Sequence, residues 1–102
     1  MPAYSAKMLD GVTATGASSA VESFPYDRFS FFINASSVTT GATVKIQTKS
    51  PNDEWVDLST TTVSADGDTL VEKSGAYEQV RANITARTDG TYTVSMVARG
   101  SR

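Results

Sequence analysis

The chain has 102 residues, with nine Lys and Arg against eleven Asp and Glu, a net charge of −2, and neither cysteine nor histidine. Length favours one domain, the lack of cysteine excludes disulfides and thiolate metal sites, and the lack of histidine excludes Ser-His-Asp triads and ordinary zinc sites. Val, Ile, Thr, Tyr, Phe and Trp make up 36 residues while Leu and Met make up six, a balance that favours strands over helices.

Residues 1–10 place Tyr4, Met8 and Leu9 at spacings that fit neither a helix nor a strand period, so they are expected to form an N-terminal arm, with residues 11–102 as the folded domain. They also lack the apolar core of roughly 7–15 residues that a Sec-type leader needs, so no leader is expected there. Gly11–Thr15 and Ser18–Ser23 are weak strand candidates separated by Gly16-Ala17, and Phe24-Pro25-Tyr26-Asp27 has turn chemistry. In Arg28–Asn34, Phe29, Phe31 and Ile33 share one face of a strand and Ser30, Phe32 and Asn34 the other. Phe32 is an apolar residue on a polar face, which marks either a partner-facing surface or a spot covered by the arm.

From Thr43 to Lys49, Val44, Ile46 and Thr48 alternate with Lys45, Gln47 and Lys49. Ser50-Pro51-Asn52-Asp53 then reads as a hairpin turn into Glu54–Leu58, where Trp55 is expected to anchor the core; if fully buried, its loss would cost about 3–5 kcal/mol. Thr60–Ser64 runs to the turn residues Asp66-Gly67 and is answered by Thr69–Lys73. Val80, Ala82, Ile84 and Ala86 alternate with polar residues, Asp89-Gly90 turns the chain, and Tyr92, Val94, Met96 and Ala98 alternate again, which reads as the clearest hairpin of the chain. Eight or nine short strands with turn chemistry between them predict an all-β fold, a single antiparallel β-sandwich or jelly roll with a short N-terminal arm, and a core of Phe29, Phe31, Ile33, Val44, Ile46, Trp55, Val80, Ile84, Val94 and Met96.

Chemistry is sparse. Asp66-Gly67-Asp68 lacks the EF-hand spacing and is explained by a turn. The acidic residues could form a glycosidase pair only if the fold brought two together. Asn34-Ala35-Ser36 and Asn83-Ile84-Thr85 match the glycosylation tripeptide by chance. The dispersed basic residues do not suit a phosphate backbone, and no run approaches the ~18 apolar residues of a membrane helix. The expectation is therefore no enzyme, no cofactor, no metal, no nucleic acid and no membrane partner.

The segment "YDRFSFFINASSVTTGATVKIQTKSPNDEWVDLSTTTVSADGD", followed by "GAYEQVRANITARTDGTYTVSMVARG", resembles small β-sandwich structural proteins of tailed bacteriophages, most of all capsid decoration, or cement, proteins. The resemblance spans about residues 26–99 and rests on the Phe-rich strand, the Pro/Asn/Asp turn, the Trp55 segment and the Tyr-x-x-Val-Arg-Ala strand with its Asp-Gly-Thr turn. It implies a virion protein on the outer capsid surface that bridges major capsid protein subunits and associates with itself, in a trimer by preference. The candidate partner-binding residues are Tyr4, Met8 and Leu9, which have no place in the strand pattern, and Phe32 on its polar face. An arm of residues 1–10 would then be removable without unfolding the sandwich. The alternative is a carbohydrate-binding module on a head fibre or tail appendage, with exposed aromatics as its platform.

Overall fold

The computed structural model describes residues 3–100, leaving residues 1–2 of the expected arm and 101–102 of the expected domain outside the described part. Nine strands are formed: β1 (Ala3–Val12), β2 (Gly16–Ala17), β3 (Val21–Glu22), β4 (Arg28–Ser36), β5 (Ala42–Lys49), β6 (Trp55–Val63), β7 (Gly67–Ser74), β8 (Gln79–Arg87) and β9 (Thr91–Arg99). Pairing is nested from the outside in: β1 with β9, β2 and β3 with β8, β4 with β7, and β5 with β6, all antiparallel. The β4–β9 and β5–β8 ladders then join these pairs into two sheets, one ordered β1-β9-β4-β7 and the other β2-β8-β5-β6 with β3 also on β8. That is the jelly-roll arrangement of two packed antiparallel sheets.

Alternation explains the core. Phe29, Phe31, Ile33 and Ala35 on β4, Val94, Met96 and Ala98 on β9, Val44 and Ile46 on β5, and Val80, Ala82 and Ile84 on β8 all face inward and are buried. Tyr92 is buried with its hydroxyl donating to the Asp89 carbonyl at 2.7 Å, which satisfies the polar end of an apolar body. Nine of the ten expected core residues are buried; Trp55 is not, being half-buried on the outside.

The expected arm is a correction. Residues 3–12 are an edge strand hydrogen-bonded along β9, and Leu9 belongs to the core. Two bulges hide this strand from a period of two, because each adds a residue and reverses which parity faces inward. Tyr4 and Ala6 lie opposite the inward residues Ala98 and Met96; after a shift between Lys7 and Leu9 the inward position is Leu9, opposite Val94; after a second it is Val12, opposite Tyr92. Gly11 takes a φ of 62° within the second bulge, a left-handed value that a glycine reaches without cost. Removing residues 1–10 would therefore strip a strand from β9 and open the core.

A bulge also reverses β6. Ser59 lies opposite Ile46 but Asp57 lies opposite Gln47, so Leu58 is the extra residue, and Trp55 and Asp57 move to the outer face. The apparent hairpin of Val80–Ala98 is a second correction: β8 and β9 lie in different sheets, and the Asp89-Gly90 turn carries the chain across the sandwich. The turn at Asp66-Gly67 does the same between β6 and β7. Asp89 instead fastens the β4–β5 loop, accepting hydrogen bonds from the backbone N–H groups of Thr39, Thr40 and Gly41 at 2.9–3.1 Å. Gly41 has a φ of 112°, and a Cβ there would overlap the Val63 carbonyl, so only glycine fits.

Candidate partner-binding surface

The four sequence candidates do not form one patch. Leu9 is in the core, and Met8 is partly buried against it at the first β1 bulge. Tyr4 sits near the start of β1 with its ring stacked on Tyr26, centroids 5.8 Å apart and planes at 9°. Phe32 alone stands on an outer face, that of the first sheet, and is 43 % exposed.

Phe32 has company that spacing along the chain could not reveal. The β4–β7 register sets it directly opposite Leu70, itself 52 % exposed, so two large apolar side chains meet on open sheet surface. Two positions back along β4 on the same face, Ser30 lies opposite Val97 of β9 and Glu72 of β7. Two further back, Arg28 lies opposite Arg99. Like charges placed directly opposite in an antiparallel pair repel. Among the described residues, neither guanidinium has a carboxylate oxygen within 4.0 Å; the ion pairs present are Lys7–Asp10, Lys45–Asp57 and Lys49–Asp53. Arg28, Ser30, Glu72, Lys73, Val97 and Arg99 are among the residues that border an open groove of about 550 Å³.

The outer face of the second sheet is built differently. Gln47, on β5, is buried at the centre of a polar network: its Oε1 accepts from Arg81 Nε at 2.8 Å and from Asn83 Nδ2 at 3.3 Å, and its Nε2 donates to Asp57 Oδ1 at 2.8 Å. Lys45 Nζ donates to the other Asp57 oxygen at 2.9 Å. The Arg81 guanidinium lies 4.2 Å from the Trp55 ring centroid, within cation–π range, and Lys49 Nζ is 5.9 Å from it. Hydrogen bonds from Gln47, then Lys45, hold the Asp57 carboxyl below its ordinary value of 3.8 against partial desolvation. Lys49 does the same to Asp53 through a hydrogen bond and its charge, and the Thr39 and Thr40 N–H groups do so to Asp89.

The acidic residues weighed as cation ligands are thus committed locally. Asp66 accepts from the Val38 N–H and Asp68 from Asn34 Nδ2, and no group of three or more acidic side chains converges among the described residues.

No family model matches the sequence, and no curated protein matches it either. Among solved structures, the chain is similar to the SPBc2 prophage-derived protein YomS, with a TM-score of 0.74 and 13% sequence identity over 95% of this chain and 92% of that one. It is also similar to a Bacillus endospore appendage from a family of disulfide-linked pili, with a TM-score of 0.50 and 14% identity over 96% of this chain and 88% of that one. At these identities the likeness is one of fold. The fold is that of a small all-β jelly roll, shared with both proteins over nearly the whole chain. With no cysteine, this chain cannot form disulfide links of its own.

Proposed function

We propose that this chain is a non-enzymatic structural component of a phage particle, a capsid decoration protein that binds the outside of the head and bridges major capsid protein subunits. The observation that carries the reading is the likeness in fold to a prophage-derived protein over nearly the full length of both chains. Jelly rolls also serve as lectins, so fold by itself decides nothing between decoration and sugar binding. The aromatic side chains favour decoration. Tyr4 and Tyr26 spend their faces on each other, Trp55 spends one on Arg81, and the exposed pair Phe32–Leu70 mixes an aromatic with an aliphatic as a protein contact does.

Self-association, with a trimer preferred, belongs to the same proposal. β1 and β7 are the edges of the first sheet and β6 is an edge of the second, and an assembly covers such edges repeatedly. The test is to purify intact particles of the phage that encodes the chain and to measure its copy number against the major capsid protein by quantitative mass spectrometry, with labelled antibodies for location. Many copies spread over the head are expected. Absence from the particles, or confinement to the tail, overturns the reading.

A further inference from the structure

The outer face of β9-β4-β7 carries two kinds of group that its own chain leaves unmatched, and they lie in line. At one end Arg28 and Arg99 face each other across the ladder with no carboxylate within 4.0 Å among the described residues. Along β4 from Arg28, four residues on and about 13 Å away at the strand rise, Phe32 and Leu70 form the exposed apolar pair. We infer that this face docks an extended segment of a partner protein that presents one carboxylate and, four residues away, one apolar side chain. The carboxylate sits between the Arg28 and Arg99 guanidiniums, whose planar forks match it in paired hydrogen bonds. The apolar side chain covers Phe32 and Leu70.

Charge decides for a carboxylate. Two guanidiniums and Lys73 against Glu72 in the same groove leave it net positive, which draws an anionic group, and the apolar Phe32–Leu70 pair in line with it asks for a carboxylate carried on a peptide rather than a free anion. Geometry decides for an extended segment: residues i and i+4 of a strand lying along β4 share a face and repeat the spacing from Arg28 to Phe32. Ser30 and Ser74 border the groove between or beside the charges, and Val97 continues the apolar surface toward Phe32.

The inference rests on the proposal that the chain attaches to another protein, but it is read on the isolated protein. Isotope-labelled chain is titrated with a heptapeptide of Ser and Thr that carries one glutamate and, four residues on, one leucine. Expected are saturable NMR shifts at the Arg28 and Arg99 Nε–H signals together with Phe32 and Leu70, and binding about tenfold weaker when the peptide glutamate is glutamine or the protein is Arg28→Gln. Thermal melts of Arg28→Gln should show no loss of stability, because the substitution removes a like-charge pair. The inference is overturned if no saturable shift occurs, or if inorganic phosphate moves the arginine signals as readily as the peptide while Phe32 stays still, which would mean a small-anion site. A chain that binds the peptide yet is absent from phage particles defeats only the decoration reading, and a chain found on particles without peptide binding defeats only this one.

Discussion

The two outer faces of the sandwich treat the same kinds of side chain in opposite ways. On the second sheet an aromatic, two lysines, an arginine and an aspartate close on themselves around Gln47, so each polar group meets a partner from its own chain. On the first sheet an aromatic and two arginines stand in register with groups that do not answer them: leucine for Phe32 and a second arginine for Arg28. Both faces flank the same core and share the same pleat. The difference teaches that exposure of an aromatic or a cation is not by itself a sign of function; what matters is whether the register supplies its complement.

Adjacent residues on β4 give the strongest way to break this comparison. Phe31 is buried and Phe32 is not, although the two differ only in the face they occupy. Phe31→Ala should cost about 3–5 kcal/mol, as truncation of a packed core aromatic does, whereas Phe32→Ala should cost under about 1 kcal/mol, the scale of one cross-strand pair. Chemical denaturation of both variants checks this. Equal losses would mean that the first sheet's outer face is part of the stabilising structure and holds nothing in reserve for a partner.

A smaller effect tests the closed face. Trp55→Ala should cost about 1–2 kcal/mol, less than a core aromatic, since the ring is half-buried beneath Arg81. In a double-mutant cycle with Arg81→Ala the two sites should couple by about 0.5–1 kcal/mol, the range for a cation over an exposed ring. Additive losses would dissolve the network into independent contacts.

What was legible in the sequence follows the regularity of each strand. β4 keeps unbroken alternation from Phe29 to Ala35, and β9 does so from Tyr92 to Ala98, so their inward faces could be read off directly. β1 and β6 could not be read that way, because one inserted residue inverts the phase and sends Leu9 inward and Trp55 outward. Turn chemistry misled for a different reason. Asp-Gly satisfies the backbone of a tight reversal whether the strands it joins pair or part, and at both Asp66-Gly67 and Asp89-Gly90 they part into separate sheets. Of the candidate site, Phe32 was visible as a misplaced apolar residue. Arg28 and Arg99 were not, since they lie far apart in the chain and only the β4–β9 register makes them neighbours.

The smallest effect separates the faces by pH. Asp57 is the carboxylate of the closed network, and hydrogen bonds from Gln47 and Lys45 lower its pKa in the folded chain. A carboxylate lowered on folding contributes stability that is fully present above its unfolded value, ordinarily 3.8, and is lost as pH falls through the folded value. The melting temperature should therefore be flat near neutrality and decline on the acid side of that value, and Asp57→Asn should make the decline shallower. Some decline should persist in that variant, because Asp89, held by the Thr39 and Thr40 N–H groups, and Asp53, held by Lys49, are lowered too. The local signature is the Trp55 indole resonance: as Asp57 takes up its proton, Gln47 loses a charged acceptor, Arg81 loses its fixed seat over the ring, and the indole signal should move with the same midpoint. An indole signal that ignores the titration of Asp57 would show that Trp55 is held by packing alone, and the second sheet's outer face would then be no more self-contained than the first.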